Sequence, residues 1–131
     1  MGLANYFESD PEFTTEQEAE LVRLTQALRT LIDRTVKLNA PVEVLRGLAT
    51  KAEQMAAEMA PYSNVRPMAA HNKVFMPEDV NWSAPYSPVV GRCNPLAPPM
   101  QMVLRDGKAT GVVTFGDAYE GPPTCVHGGM I

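Results

Sequence analysis

Gly116-Asp-Ala-Tyr-Glu-Gly-Pro-Pro-Thr-Cys-Val-His-Gly-Gly-Met-Ile131 is the stretch on which the reading of this chain turns. Pro122 and Pro123 fix an extended approach, because the pyrrolidine ring locks φ. Two small or β-branched residues and a valine follow, and then His127-Gly128-Gly129. Consecutive glycines leave backbone N–H groups uncovered. A helix opening there would aim its unpaired donors and positive dipole end at an incoming oxygen, which suits a polarised carbonyl or an anion.

Just upstream, Met100-Gln-Met-Val-Leu-Arg105 and Ala109-Thr-Gly-Val-Val-Thr-Phe115 read as strands. Asp106-Gly107 between them is a two-residue hairpin signal. Gly111 inside the second strand suggests a bulge or a close backbone approach. Further back the composition changes at Pro61: ten of the twelve prolines and seven of the nine glycines lie beyond residue 60. Residues 61–99 mix turn formers with Tyr62, Val65, Val74, Phe75, Trp82 and Tyr86, which predicts an ordered loop packed over the domain, with a short strand near 73–76. His71 stands alone, and a surface or capping role is the plain reading of it.

The N-terminal half is helical. Thr15 and Glu18 form a capping box. Leu21, Leu24, Leu28, Leu31, Thr35 and Leu38 then recur at three- and four-residue steps, predicting an amphipathic helix over 16–38. Asn39-Ala-Pro41 breaks it, and Pro41 suits the start of a second helix over 42–59. The stripe of that helix is Val44, Leu45, Leu48, Ala52, Met55, Ala56 and Met59, with Gly47 as a weak point. A short break between two amphipathic helices predicts a helical hairpin. Core packing is the simple expectation for both stripes, with a dimer or partner surface as the alternative. The acids of this half read as solvated, and residues 1–13 as a loose arm that Tyr6, Phe7 and Phe13 pin to something apolar.

Bulk properties narrow the function. The 131 residues make one small domain, or part of one with an accessory segment. Net charge is -4, with ten acids and six bases in residues 1–60 and five of each beyond, so neither half offers a basic face for nucleic acid. No apolar run approaches a membrane span, and the first ten residues lack the basic start and apolar core of a signal peptide. A cytoplasmic protein is expected, with Cys93 and Cys125 as free thiols and no metal site, since no His or Cys stands near either at ligand spacing.

Gly91-Arg-Cys-Asn-Pro-Leu-Ala-Pro-Pro99, the hairpin, and Tyr119-Glu-Gly-Pro-Pro-Thr-Cys-Val-His-Gly-Gly129 resemble the hotdog-fold acyl-CoA thioesterases of the PaaI-like superfamily. Within it they resemble the branch related to the human mitochondrial thioesterase superfamily members. The resemblance covers roughly residues 86–131 and leaves the first 60 unaddressed. With the helical segment read above (1–60) and the hairpin, the chain is expected to be α+β; the resemblance makes 61–131 the N-terminal part of a hotdog domain whose antiparallel sheet is incomplete.

In that family strands wrap a central helix and the site lies at a subunit interface, so a homodimer or higher oligomer is implied. By the same resemblance, a backbone N–H of Gly128–Gly129 would polarise the thioester carbonyl of an acyl-CoA. His127 would shape the turn or touch substrate, and Asn94 would line the acyl or pantetheine side. No cofactor is implied. The carboxylate that activates water would fall past Ile131, so this chain alone is expected to be inactive; Asp117 and Glu120 precede the motif and are not that group. Two other readings stay open. One is a non-catalytic interaction protein docking on a partner subunit. The other is an accidental likeness in which His127-Gly-Gly129 is a polar tail.

Overall fold

The computed structural model describes residues 15–63 and 85–130. The expected N-terminal arm, His71, the short strand at 73–76, and Val65, Val74, Phe75 and Trp82 lie outside them. Two helices come first, α1 (Thr15–Thr35) and α2 (Val42–Met59), the latter running into a 3-10 turn at Ala60–Tyr62. A hairpin of β1 (Gln101–Arg105) and β2 (Lys108–Val112) follows, then 3-10 turns at Asp117–Tyr119 and Gly128–Met130. The chain is α+β, as expected.

Glu16 and Glu18 stand in the first turn of α1 and Arg34 in its last, matching the helix dipole at both ends. The helix stops three residues before the expected position 38. Lys37 N–H donates to the Arg34 carbonyl (3.3 Å) and Leu38 N–H to that of Thr35 (3.1 Å), tightening the final turn to 3-10 spacing. Helix α2 has the expected bounds. Pro41 precedes it, and the Pro41 carbonyl accepts the N–H groups of Val44 (3.0 Å) and Leu45 (3.1 Å).

The β-turn carries the conformation its residues favour. Asp106 (φ 50°) and Gly107 (φ 72°) both have positive φ, the type I′ pattern whose twist suits a two-residue hairpin. Pairing runs from Arg105–Lys108 to Gln101–Val112. Gly111 sits opposite Met102 in regular register, so there is no bulge. A Cβ at Gly111 would stand 3.1 Å from the side-chain Cγ of Met102 and 3.5 Å from the Gln101 carbonyl oxygen, an ordinary contact, so the expected close backbone approach is absent as well. The second strand ends at Val112, short of the expected 115. Beyond it Phe115 turns away to meet the Tyr119 ring edge-on, with centroids 5.5 Å apart.

The core lies between α1 and the proline-rich loop. Thr25 is 2% exposed, and Pro85, Ala97 and Pro98 are fully buried. Residues 85–99 are thus the ordered, packed loop expected of them, tied by Cys93 N–H to the Pro85 carbonyl (2.8 Å) and Ala97 N–H to that of Asn94 (3.1 Å).

The leucine stripes behave differently from expectation. Leu21 and Leu28 are half-buried, but Leu24 is 37% and Leu31 51% exposed. The side of α1 that docks on the loops is its polar one. Helix α2 buries no residue and shares no extensive contact with α1, so the helical hairpin exists as chain order and not as packed faces.

Candidate functional site

The site is assembled by a polar row on α1. Gln26, Arg29, Thr30 and Asp33 recur at helical spacing, so they lie on one side of the helix, and Lys37 follows in the turn just past its last residue. Arg29 Nη2 donates to two carbonyls of the proline loop, Gly91 (2.8 Å) and Asn94 (3.0 Å). Burial lowers the Arg29 pKa, while the neighbouring Tyr119 and Cys93 act the other way. Its charge survives because a guanidinium starts far above neutral pH. One turn on, Asp33 Oδ1 accepts the Ala118 N–H (3.1 Å), capping the 3-10 turn at Asp117–Tyr119 from another element. Gly116 makes room for this carboxylate: a Cβ there would overlap Asp33 Oδ1 and lie 2.9 Å from its Cγ. Lys37 pairs with Asp117, and that hydrogen bond raises the Lys37 pKa.

From this platform Tyr119 carries the structure outward. Its hydroxyl donates to the Leu96 carbonyl (3.1 Å), and its own carbonyl accepts the His127 N–H (2.9 Å). Burial raises its pKa, against the pull of Arg29. Between Tyr119 and His127 the chain closes on itself. Gly121 N–H donates to the Cys125 carbonyl (2.8 Å), Cys125 N–H to that of Pro122 (2.9 Å), and Thr124 N–H to Glu120 Oε1 (3.3 Å). Thr124 takes a positive φ of 69° at the tip, and Glu120 bridges Val126. A Cβ on Gly121 would stand 2.9 Å from His127 Cα, so the spacing from Tyr119 to His127 describes one folded unit.

His127, Gly128 and Gly129 emerge from that unit at the surface, and Gly128–Met130 makes one helical-sense turn. His127 Nδ1 accepts the Gly129 N–H (3.1 Å), which leaves the proton of the neutral ring on Nε2. Of the two glycine donors, then, one is held by His127. The Gly128 N–H meets no acceptor among the described residues, and open space surrounds the place where its Cβ would be.

Asn94 lies elsewhere. Its Nδ2 donates to the Tyr86 carbonyl (2.9 Å) and its Oδ1 accepts the Leu96 N–H (2.9 Å), so its amide clasps the loop. No hydrogen bond among the described residues joins it directly to His127–Gly129; the link runs through Leu96 and Tyr119.

A cleft of about 500 Å³ lies between α1 and the loops, lined by Gln26, Arg29, Asp33, Pro95, Thr114 and Tyr119 among others. Neither Asn94 nor His127 lines it. Cys93 and Cys125 are both free thiols. Burial pushes the Cys93 thiol pKa up, away from reactivity, whereas Cys125 is exposed at the turn. Among the described residues no group of His, Cys, Asp and Glu is placed to hold a metal, and no helix is long and apolar enough to cross a membrane. Compared with protein-family models, with curated proteins and with solved structures, the chain matches none.

Arg29, Asp33 and Tyr119 are the organising residues that sequence reasoning passed over. Their trace was the polar row at helical spacing on α1, which reads as solvated when the distant loops are out of view. The row's importance can be measured. Arg29→Ala should cost about 2 kcal/mol, since it strips a charged donor from two carbonyls. It should also speed tryptic cleavage at Arg92 in the released loop. Arg29→Lys should recover only part, because a compact ammonium does not reproduce the guanidinium geometry. Melting temperature and a digestion time course check both variants.

Proposed function

We propose that the chain carries the N-terminal part of a PaaI-like acyl-CoA thioesterase domain, with hydrolysis of acyl-CoA thioesters as the activity of the completed site. The observation that supports this best is the Gly128 N–H: unengaged, surrounded by open space, and at the start of a helical-sense turn. A thioester carbonyl brought there would gain a donor as its oxygen becomes negative. In this reading His127 fixes the turn by holding the Gly129 N–H, and Gly128 is the donor to substrate. Asn94 acts at a distance, by clasping the loop whose Leu96 carbonyl receives the Tyr119 hydroxyl. This reading assigns the water-activating carboxylate to none of the 131 residues, and a second subunit would complete the pocket. A cytoplasmic location and homodimeric assembly belong to the same proposal.

A non-catalytic docking role is the second reading, and the exposed apolar faces of α1 and α2 favour it.

CoA release from a series of acyl-CoA lengths, followed by chromatography because Cys125 would consume a thiol reagent, tests the proposal. The 131-residue chain should give no turnover above background. An extended polypeptide, the 131 residues completed by a segment carrying that carboxylate, should give saturable turnover. A folded extended polypeptide without hydrolysis would overturn the thioesterase reading. Turnover by the 131 residues alone would overturn the placement of the carboxylate.

A further inference from the structure

The polar side of α1 is occupied by the chain's own loops, through Arg29, Asp33 and Lys37. At 100° per residue, Leu24 and Leu31 stand on the opposite side of the helix. Exposure follows this geometry around the circumference: Thr25 is 2% exposed, Leu21 and Leu28 are half-buried, Leu24 is 37% and Leu31 51% exposed. Leu21, Leu24, Leu28 and Leu31 alternate by three and four residues, the spacing of a heptad seam. The exposed flank of that seam carries Glu20, Ala27 and Arg34, one heptad apart.

We infer that this seam docks a second copy of the chain as an antiparallel α1–α1 pair. Antiparallel alignment about the middle of the helix sets Leu21 against the copy's Leu31 and Leu24 against the copy's Leu28, each twice. The same alignment brings Glu20 opposite the copy's Arg34 at both ends of one edge and places Ala27 beside its own counterpart midway along it, where a small side chain lets the helices approach. Each leucine and charge pair is used twice, with Ala27 meeting its counterpart on the axis, as an isologous two-fold interface requires. Parallel alignment in register would set Glu20 against Thr25 and would pair no charges. Glu20 holds Arg23 through Oε2 (2.6 Å), leaving Oε1 for Arg34 of the copy, while Arg34 forms no ion pair with the described residues. The interface is independent of the thioesterase reading, since it uses none of residues 91–130.

Sedimentation equilibrium on the full 131-residue chain tests the pairing. Wild type should show a concentration-dependent monomer–dimer equilibrium. Glu20→Arg and Arg34→Glu should each raise the dissociation constant about tenfold by turning two attractive edge pairs repulsive. The double swap should restore it. Leu24→Lys with Leu31→Lys should abolish the dimer while the helical signal persists, because both residues already face solvent in the monomer. Three results would overturn the inference: a chain monomeric at its highest soluble concentration, a dimer indifferent to the leucine changes, or charge swaps that fail to rescue one another. The first would point to α2 or another protein as occupant, and the last to a different register.

Discussion

Gly91→Ala should be among the most damaging single-methyl changes in the described chain, costing roughly 3–5 kcal/mol. Gly91 is buried where the proline loop folds back on itself. A Cβ there would overlap the Pro85 carbonyl oxygen and lie 2.5 Å from the Ser87 carbonyl oxygen and 2.6 Å from the Ser87 nitrogen. These are backbone atoms, so no rotamer change relieves the clash. The Gly91 N–H bonds the Ser87 carbonyl at 3.0 Å, and the Gly91 carbonyl receives Arg29, so any shift of the residue breaks the loop and its anchor together. The expected result is a much lower melting temperature, with amide-exchange protection lost over 85–99 and at Ala118, while α2 keeps its helical signal. Gly47→Ala is the control. Nothing lies within 4 Å of its Cβ position in mid-α2, so alanine should raise helicity by about 1 kcal/mol of propensity. Equal melting of Gly91→Ala and wild type would remove the loop from the structural core.

The dependence of the loop on α1 also explains which parts of the fold were legible. Local signals were read well because their causes are local. Asp106-Gly107 supplies the two positive φ values of its turn, and Pro41 starts α2 where its fixed φ suits a helix entry. The β+α composition break at Pro61 falls just after Met59, the last residue of α2. The assembly of these pieces depended on contacts 62 to 85 residues apart in sequence, from Arg29 to Gly91 and from Asp33 to Ala118. Polar side chains that reach backbone groups leave no hydrophobic periodicity, so the docking face of α1 was indistinguishable from a solvated one. The leucine face pulled the expectation the other way. An apolar stripe states that something covers it without saying whether the cover is intramolecular.

The candidate site divides along the same line. Pro122 and Pro123 read as an extended approach to His127, but they sit in a tight turn closed by the Cys125 N–H on the Pro122 carbonyl and the Gly121 N–H on the Cys125 carbonyl, a pairing that the fixed proline φ alone does not reveal. Asn94 was marked as a site residue, and its amide instead satisfies the loop around it. No sequence rule distinguishes an asparagine that faces a ligand from one that closes a turn, since the same two hydrogen-bonding ends serve both.

Gly128 separates chemistry from structure more cleanly than any other position. Its φ is not positive and no atom lies within 4 Å of its Cβ position, so a side chain there meets no resistance from the described chain. In the polypeptide extended past Ile131, Gly128→Val should leave the melting temperature near that of wild type. It should also crowd the approach to the Gly128 N–H. Loss of an oxyanion donor typically lowers turnover on the order of 100- to 1000-fold, and the loss should fall mainly on kcat. The decisive measurement is therefore kcat for acyl-CoA hydrolysis together with the thermal midpoint, for wild type and Gly128→Val. A fall of that size at unchanged midpoint is the predicted result; a folded Gly128→Val polypeptide with wild-type kcat would contradict the account.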